Sequence, residues 1–129
     1  MGGILHRLRG LGRNERGVAA VEFGIIAPVF IAMLVGIIDL GRYMWTLNTM
    51  QYAVDQSVRA GVVQKLTTDQ VTSLVKGSLP GLDPNAVTVD VVSGASTLSI
   101  TADMTYAFLF PMSSFMDSTD ISVRTEMPK

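Results

Sequence analysis

The chain has 129 residues, ten basic and eleven acidic, with a formal net charge of −1 and no cysteine. That size holds one modest domain beside a membrane segment and leaves no room for a second core. Near-neutrality leaves no electrostatic footprint for nucleic acid, and without cysteines the folded part rests on packing or neighbours rather than disulfides.

Residues 1–17 form a basic leader. Arg7, Arg9, Arg13 and Arg16 stand against the single Glu15, whereas the remaining 112 residues carry six basic and ten acidic side chains. Short basic flanks stay in the cytoplasm, so the N-terminus is expected inside and everything after Ile38 outside. The arginines read as a topology signal beside anionic lipid.

Val18 to Ile38 follows, twenty-one residues whose one charge is Glu22. At 1.5 Å per residue this covers about 30 Å, the thickness of a hydrocarbon core. A secretory signal has an apolar region of about 7–15 residues and then a small-x-small cleavage site. Here the run ends in Ile37-Ile38-Asp39-Leu40, which offers none. A buried helix of a soluble domain is a further alternative, and the length favours a span. The expected transmembrane segment is 18–42, in a single-pass membrane chain with its C-terminal part extracytoplasmic.

Glu22 stands out because a carboxylate in hydrocarbon costs several kcal/mol unless it is shallow or partnered. It is either a functional group or a shallow side chain that snorkels to the headgroups. Ala20, Gly24, Pro28, Ala32 and Gly36 recur at i+4 as a strip of small or side-chain-poor residues, which lets helix backbones approach closely in lipid. We expect a helix-packing surface there, with the general frequency of glycine and alanine in membrane helices as the plainer account. Pro28 removes one backbone hydrogen bond and is expected to bend or loosen the helix near Gly24. Asp39, Arg42, Tyr43 and Trp45 mark the outer membrane interface, the two aromatics as anchors.

The outer part, 43–129, reads in three sections. From Asp39 to about Leu66, Met50, Val54, Val58, Val62 and Leu66 recur at i+4, with Leu47 and Gly61 near the same face, so the helix continues out of the membrane. Asp55 and Arg59 form an i, i+4 pair on its polar side. Thr67 and Gln70 stand at capping-box spacing before a short helix marked by Val71, Leu74, Val75 and Leu79, which Leu79-Pro80-Gly81 closes. The period then changes to two. Val87, Val89 and Val91 alternate with polar residues, then Leu98, Ile100, Ala102, Met104, Tyr106, Phe108 and Phe110, and more weakly Ile121, Val123 and Thr125. The expected fold class is α+β: a long N-terminal helix, half membrane and half outside, a short second helix, and a small three-stranded antiparallel sheet. Such a sheet needs a covering layer, and the amphipathic stripes of 47–79 are the candidates.

Catalysis finds no support. The single histidine, His6, lies in the leader, and no acidic pair has the spacing of a general acid and base. Asp83, Asp90, Asp103, Asp117 and Asp120 are scattered over turns and strand faces, where solvated carboxylates are the usual explanation. Gly10-x-Gly12 is followed by arginine and is no phosphate loop. We expect no enzyme, no metal and no cofactor.

A basic leader, Gly17, a glutamate five positions later and an apolar helix entering a small α+β domain resemble the prepilins and pseudopilins of type IV filament systems. More narrowly, Gly17-Val18-Ala19-Ala20-Val21-Glu22-Phe23, then Pro28, then Ile38-Asp39-Leu40-Gly41-Arg42 resembles the TadE-like family of tight-adherence pilus systems, densely from about Arg16 to Ala60. The resemblance implies a membrane-embedded prepilin peptidase that cuts between Gly17 and Val18, and makes Glu22 the fifth mature residue. Cutting exposes a cationic α-amine at Val18, and a carboxylate one helical turn on, or one on a neighbouring subunit, offsets its desolvation. Val18 departs from the phenylalanine common at the first mature position of type IV pilins. The expected role is a minor pseudopilin-like component of a tight-adherence pilus, with prepilin peptidase, other pilins or pseudopilins, the inner-membrane assembly platform and membrane lipid as partners. The alternatives are an unprocessed single-pass scaffold of the same machine and a membrane-tethered envelope module whose sheet face captures a ligand.

Overall fold

A computed structural model describes residues 15–109 and 118–129. The leader arginines Arg7, Arg9 and Arg13, with His6, Gly10, Gly12, Phe110 and Asp117, lie outside the described residues. The order of elements is α1 (Glu15–Gln64), α2 (Thr68–Gly77), β1 (Val87–Ser93), β2 (Thr97–Ala107) and β3 (Ser118–Pro128). This is the expected α+β layout, with one antiparallel sheet in the order β1-β2-β3.

The long helix α1 runs for 50 residues and keeps Pro28 inside it. Its lower half is long and apolar enough to cross a membrane, and its most apolar stretch is covered by nothing in the molecule. Its upper half is amphipathic. Met50, Ala53, Val54 and Val58 are fully buried on one face, while Gln51, Gln56 and Arg59 face out. The helix ends at Lys65, which takes a positive φ of 51°, and the Leu66 N–H closes back on the Gly61 carbonyl at 3.1 Å.

The helix α2 starts as its sequence dictates. The Gln70 N–H donates to Thr67 Oγ1 at 3.4 Å, and the Thr67 N–H donates to Gln70 Oε1 at 2.9 Å. This reciprocal pair satisfies two of the helix's unpaired donors. Val71 and Val75 are buried against α1 and the sheet.

Strand β2 is central. It pairs with β1 from Val87↔Met104 to Ser93↔Leu98, and with β3 from Thr97↔Pro128 to Ala107↔Ser118. Leu98, Ile100, Ala102 and Tyr106 point into the core, joined by Val87, Ile121 and Val123 from the flanking strands. Period-two alternation puts these apolar side chains on one face, and α1 and α2 cover it as expected. Each fully buried aliphatic side chain contributes about 1.5–3 kcal/mol, so this layer supplies most of the driving force for a unit without disulfides.

One element departs from expectation. Asp55 and Arg59 do not form an intrahelical pair; the Thr125 hydroxyl on β3 donates to Asp55 Oδ1 at 2.6 Å. A carboxylate that borders the sheet finds a fixed, shorter-range donor there, and an exposed i, i+4 pair is worth only tenths of a kcal/mol against it.

Two positions test this packing. Ser57 is fully buried on α1 and its hydroxyl has no hydrogen-bond partner among the described residues. An orphaned buried hydroxyl costs about 1–3 kcal/mol, so Ser57→Ala is expected to raise the midpoint of thermal unfolding by several degrees, read by circular dichroism. At Gly61 an added Cβ would stand 2.7 Å from Leu98 Cδ2 and 3.1 Å from Val71 Cγ2. Gly61→Val forces α1, α2 and β2 apart, and a loss of about 1–3 kcal/mol is expected in the same assay.

Candidate functional site

The chain carries two groups of candidate residues, one along the lower half of α1 and one where that helix meets the sheet. Gly17, Val18 and Glu22 lie near the start of α1 and are all exposed. The Gly17–Val18 peptide bond falls within the first turn. First-turn N–H groups have no intrahelical acceptor, so this is the part of α1 that opens at least cost. Val18 and Glu22 are four residues apart and share a face.

The small-residue strip is open. Nothing in the molecule lies within 4 Å of where a Cβ would stand on Gly24 or Gly36. Ala20 and Pro28 are exposed and Ala32 is half-buried. The flanking Phe23, Ile25, Val29, Phe30 and Met33 are exposed as well.

The second group sits at the base of the domain. Asp39, expected at the membrane interface, is only 1% exposed. Its Oδ2 accepts the Leu109 backbone N–H at 2.9 Å, just beyond the end of β2. The Tyr106 hydroxyl donates to the Asp39 carbonyl oxygen at 3.4 Å. Arg42, one turn on, brings Nη1 within 3.6 Å of Asp39 Oδ1 while half of its side chain faces outward. Tyr43 and Phe108 each meet the Tyr106 ring edge to face, with centroids 5.5 Å and 5.3 Å away. Asp39, Arg42 and Tyr43 therefore share one cluster that fastens the end of β2 to α1.

Trp45 is 49% exposed and its ring closes over the turn after α2. A Cβ on Gly81 would stand 2.8 Å from Trp45 Cη2, and Gly81 has a φ of +75°, so both space and backbone conformation call for glycine there. The docking role of Asp39 has only a faint sequence signal: a charged residue directly after twenty-one largely apolar ones reads as an interface marker. Its partners, Tyr106 and the Leu109 amide, lie some seventy residues away.

Among the described residues, no three His, Cys, Asp or Glu side chains converge as a metal would need. At the other end of the domain, a cavity of about 330 Å³ opens between Gly61, Leu66, Leu98, Lys65 and Lys129. Lys129 Nζ donates there to Ser93 Oγ at 2.6 Å and to the Gly94 carbonyl at 2.9 Å.

Residues 17–59 match the family model described as TadE-like protein. The chain carries a TadE-like segment. Its match starts at Gly17, runs through Glu22, the strip, Asp39 and Arg42, and ends inside the upper half of α1. No curated protein and no solved structure matches the chain. A TadE-like segment fits a component associated with the tight-adherence pilus, a family that is structural rather than catalytic and that associates with other pilus proteins.

The Asp39 cluster yields a graded expectation. Asp39→Ala leaves the Leu109 N–H without its acceptor and is expected to cost about 1–3 kcal/mol. Asp39→Asn keeps a neutral acceptor and costs less. Urea unfolding of the full chain in detergent micelles, followed by the fluorescence of Trp45, the one tryptophan, checks the order.

Proposed function

We propose that this protein is a minor pseudopilin-like component of a tight-adherence pilus system, made as a precursor and cut by a prepilin peptidase between Gly17 and Val18. The observation that carries the reading is the TadE-like match that begins at Gly17 and follows a single helix from the apolar half into the folded half. The chain acts as a substrate and a building part. Its leader stays in the cytoplasm, α1 crosses the inner membrane, and the α+β unit stands outside.

The chemistry of the N-terminal turn supports this. Cleavage converts a neutral peptide bond into an ammonium at Val18, and Glu22 lies one turn further along the same face. Each charge offsets the desolvation that the other would suffer in lipid, in one chain or between two. The open strip from Ala20 to Gly36 then receives a neighbouring helix of the filament or of the assembly platform. The other two readings lack comparable support. The apolar sheet face that a capture module would use is occupied by α1 and α2, and a fixed scaffold gives Gly17 no task.

Two measurements check the proposal. The intact mass of the protein from membranes with its matching prepilin peptidase is expected to lack residues 1–17; Gly17→Ala, or loss of the peptidase, is expected to restore the full mass. Full-length protein in every sample would favour the unprocessed scaffold. Separately, Gly24→Leu and Gly36→Leu are expected to reduce crosslinking to partner helices without reducing membrane insertion. Undiminished crosslinking would remove the strip from the assembly surface.

A further inference from the structure

The domain does not stand away from the membrane on a stalk. α1 rises from Asp39 to Gly61 by about 33 Å at 1.5 Å per residue. β2 returns antiparallel to it over the same height, from Leu98 beside Gly61 to Leu109 beside Asp39. The end of β2 is thus pinned level with the residue that directly follows the apolar run. Headgroups extend about 5–7 Å beyond the hydrocarbon on each side. With Ile38 at the hydrocarbon edge, Leu40, Arg42 and Met44 lie about 3, 6 and 9 Å above it.

The side chains at this level do not suit water. Leu40 and Met44 remain exposed on α1, and Leu109 is 59% exposed at the end of β2. Burial of each in an apolar environment is favourable. Arg42 holds Asp39 on one side and keeps half of its surface outward, with guanidinium donors to spare.

We propose that the membrane-proximal end of the domain is a lipid-contacting foot, in which Leu40 and Leu109 enter the headgroup layer of an anionic bilayer and Arg42 binds its phosphates. Two observations select lipid as the occupant: the surface is continuous with the uncovered apolar half of α1, and its outward charge is cationic. The inference rests on α1 being a membrane span and goes beyond it, because the sheet contributes to the contact through Leu109. The Asp39 to Leu109 hydrogen bond holds that strand end at the depth where lipid is met.

The chain has no cysteine, so single nitroxide labels can be placed without background. Labels at Leu109→Cys, Val29→Cys and Val92→Cys in full-length protein, in vesicles containing phosphatidylglycerol, report collision with oxygen and with a water-soluble nickel chelate. Leu109→Cys keeps the backbone N–H that binds Asp39. The expected result is severalfold less chelate collision at Leu109 than at Val92, with Val29 reached by oxygen alone. Chelate collision at Leu109 equal to that at Val92, with Val29 still shielded, would overturn the foot; chelate access at Val29 would instead overturn the span on which it rests. Arg42→Gln is expected to raise chelate collision at Leu109 in phosphatidylglycerol vesicles and to leave it unchanged in phosphatidylcholine; no response in either would overturn the charge contribution.

Discussion

One helix has two unlike halves, apolar and uncovered below and amphipathic above, and the rest of the structure is arranged around that division. From Val18 to Ile38 the side chains of α1 carry one charge, Glu22, and its most apolar stretch is covered by nothing in the molecule. Above Asp39, one stripe is apolar and the remainder polar, which suits a helix laid on a sheet in water. The transition takes place at a single residue. Asp39 is the first charge after the run, and its carboxylate accepts the backbone N–H of Leu109, just beyond the end of β2. The position at which the chain becomes hydrophilic is thus also the position at which the domain begins.

The domain is small for a unit without disulfides, and the shared helix is what makes it sufficient. A three-stranded sheet alone is marginal in water. Here α1 lends it about seven turns of ordered backbone. The helix α2 is added at little cost in chain, with a capping box at one end and the Gly81 turn under Trp45 at the other.

Local signals carried most of this into the sequence. The period of four from Met50 to Val58 and the period of two from Leu98 to Tyr106 each announce an element and the face that it buries, because burial on one side is what makes a helix or a strand periodic. Thr67 and Gln70 announce a helix start for an equally local reason. What escaped were contacts between distant segments. Asp55 reads as the partner of Arg59 on its own helix, yet it meets Thr125 on β3. Asp39 marks the interface and Tyr43 reads as an aromatic anchor, and nothing in the sequence signals that both also join Tyr106 in the base of the domain. Polar pairing across seventy residues leaves no periodic trace, since any nearby donor on the chain is an equally good reading. In the candidate site, the reading of Gly17, Val18 and Glu22 rests on their spacing in the sequence.

The continuity of α1 also fixes direction. Gly36, Asp39, Tyr43, Leu47, Met50, Val54 and Val58 succeed one another at three or four residues, so the small-residue strip leads upward into the very face on which the sheet lies. At 3.6 residues per turn the strip turns by about 40° at each step of four, so only its upper members, Ala32 and Gly36, lie near the face that carries the sheet. Because α1 has no break between the two halves, turning the lower half about its axis swings the sheet by the same angle. The azimuth at which the lower half packs becomes the bearing of the domain, as a shaft sets the bearing of a vane.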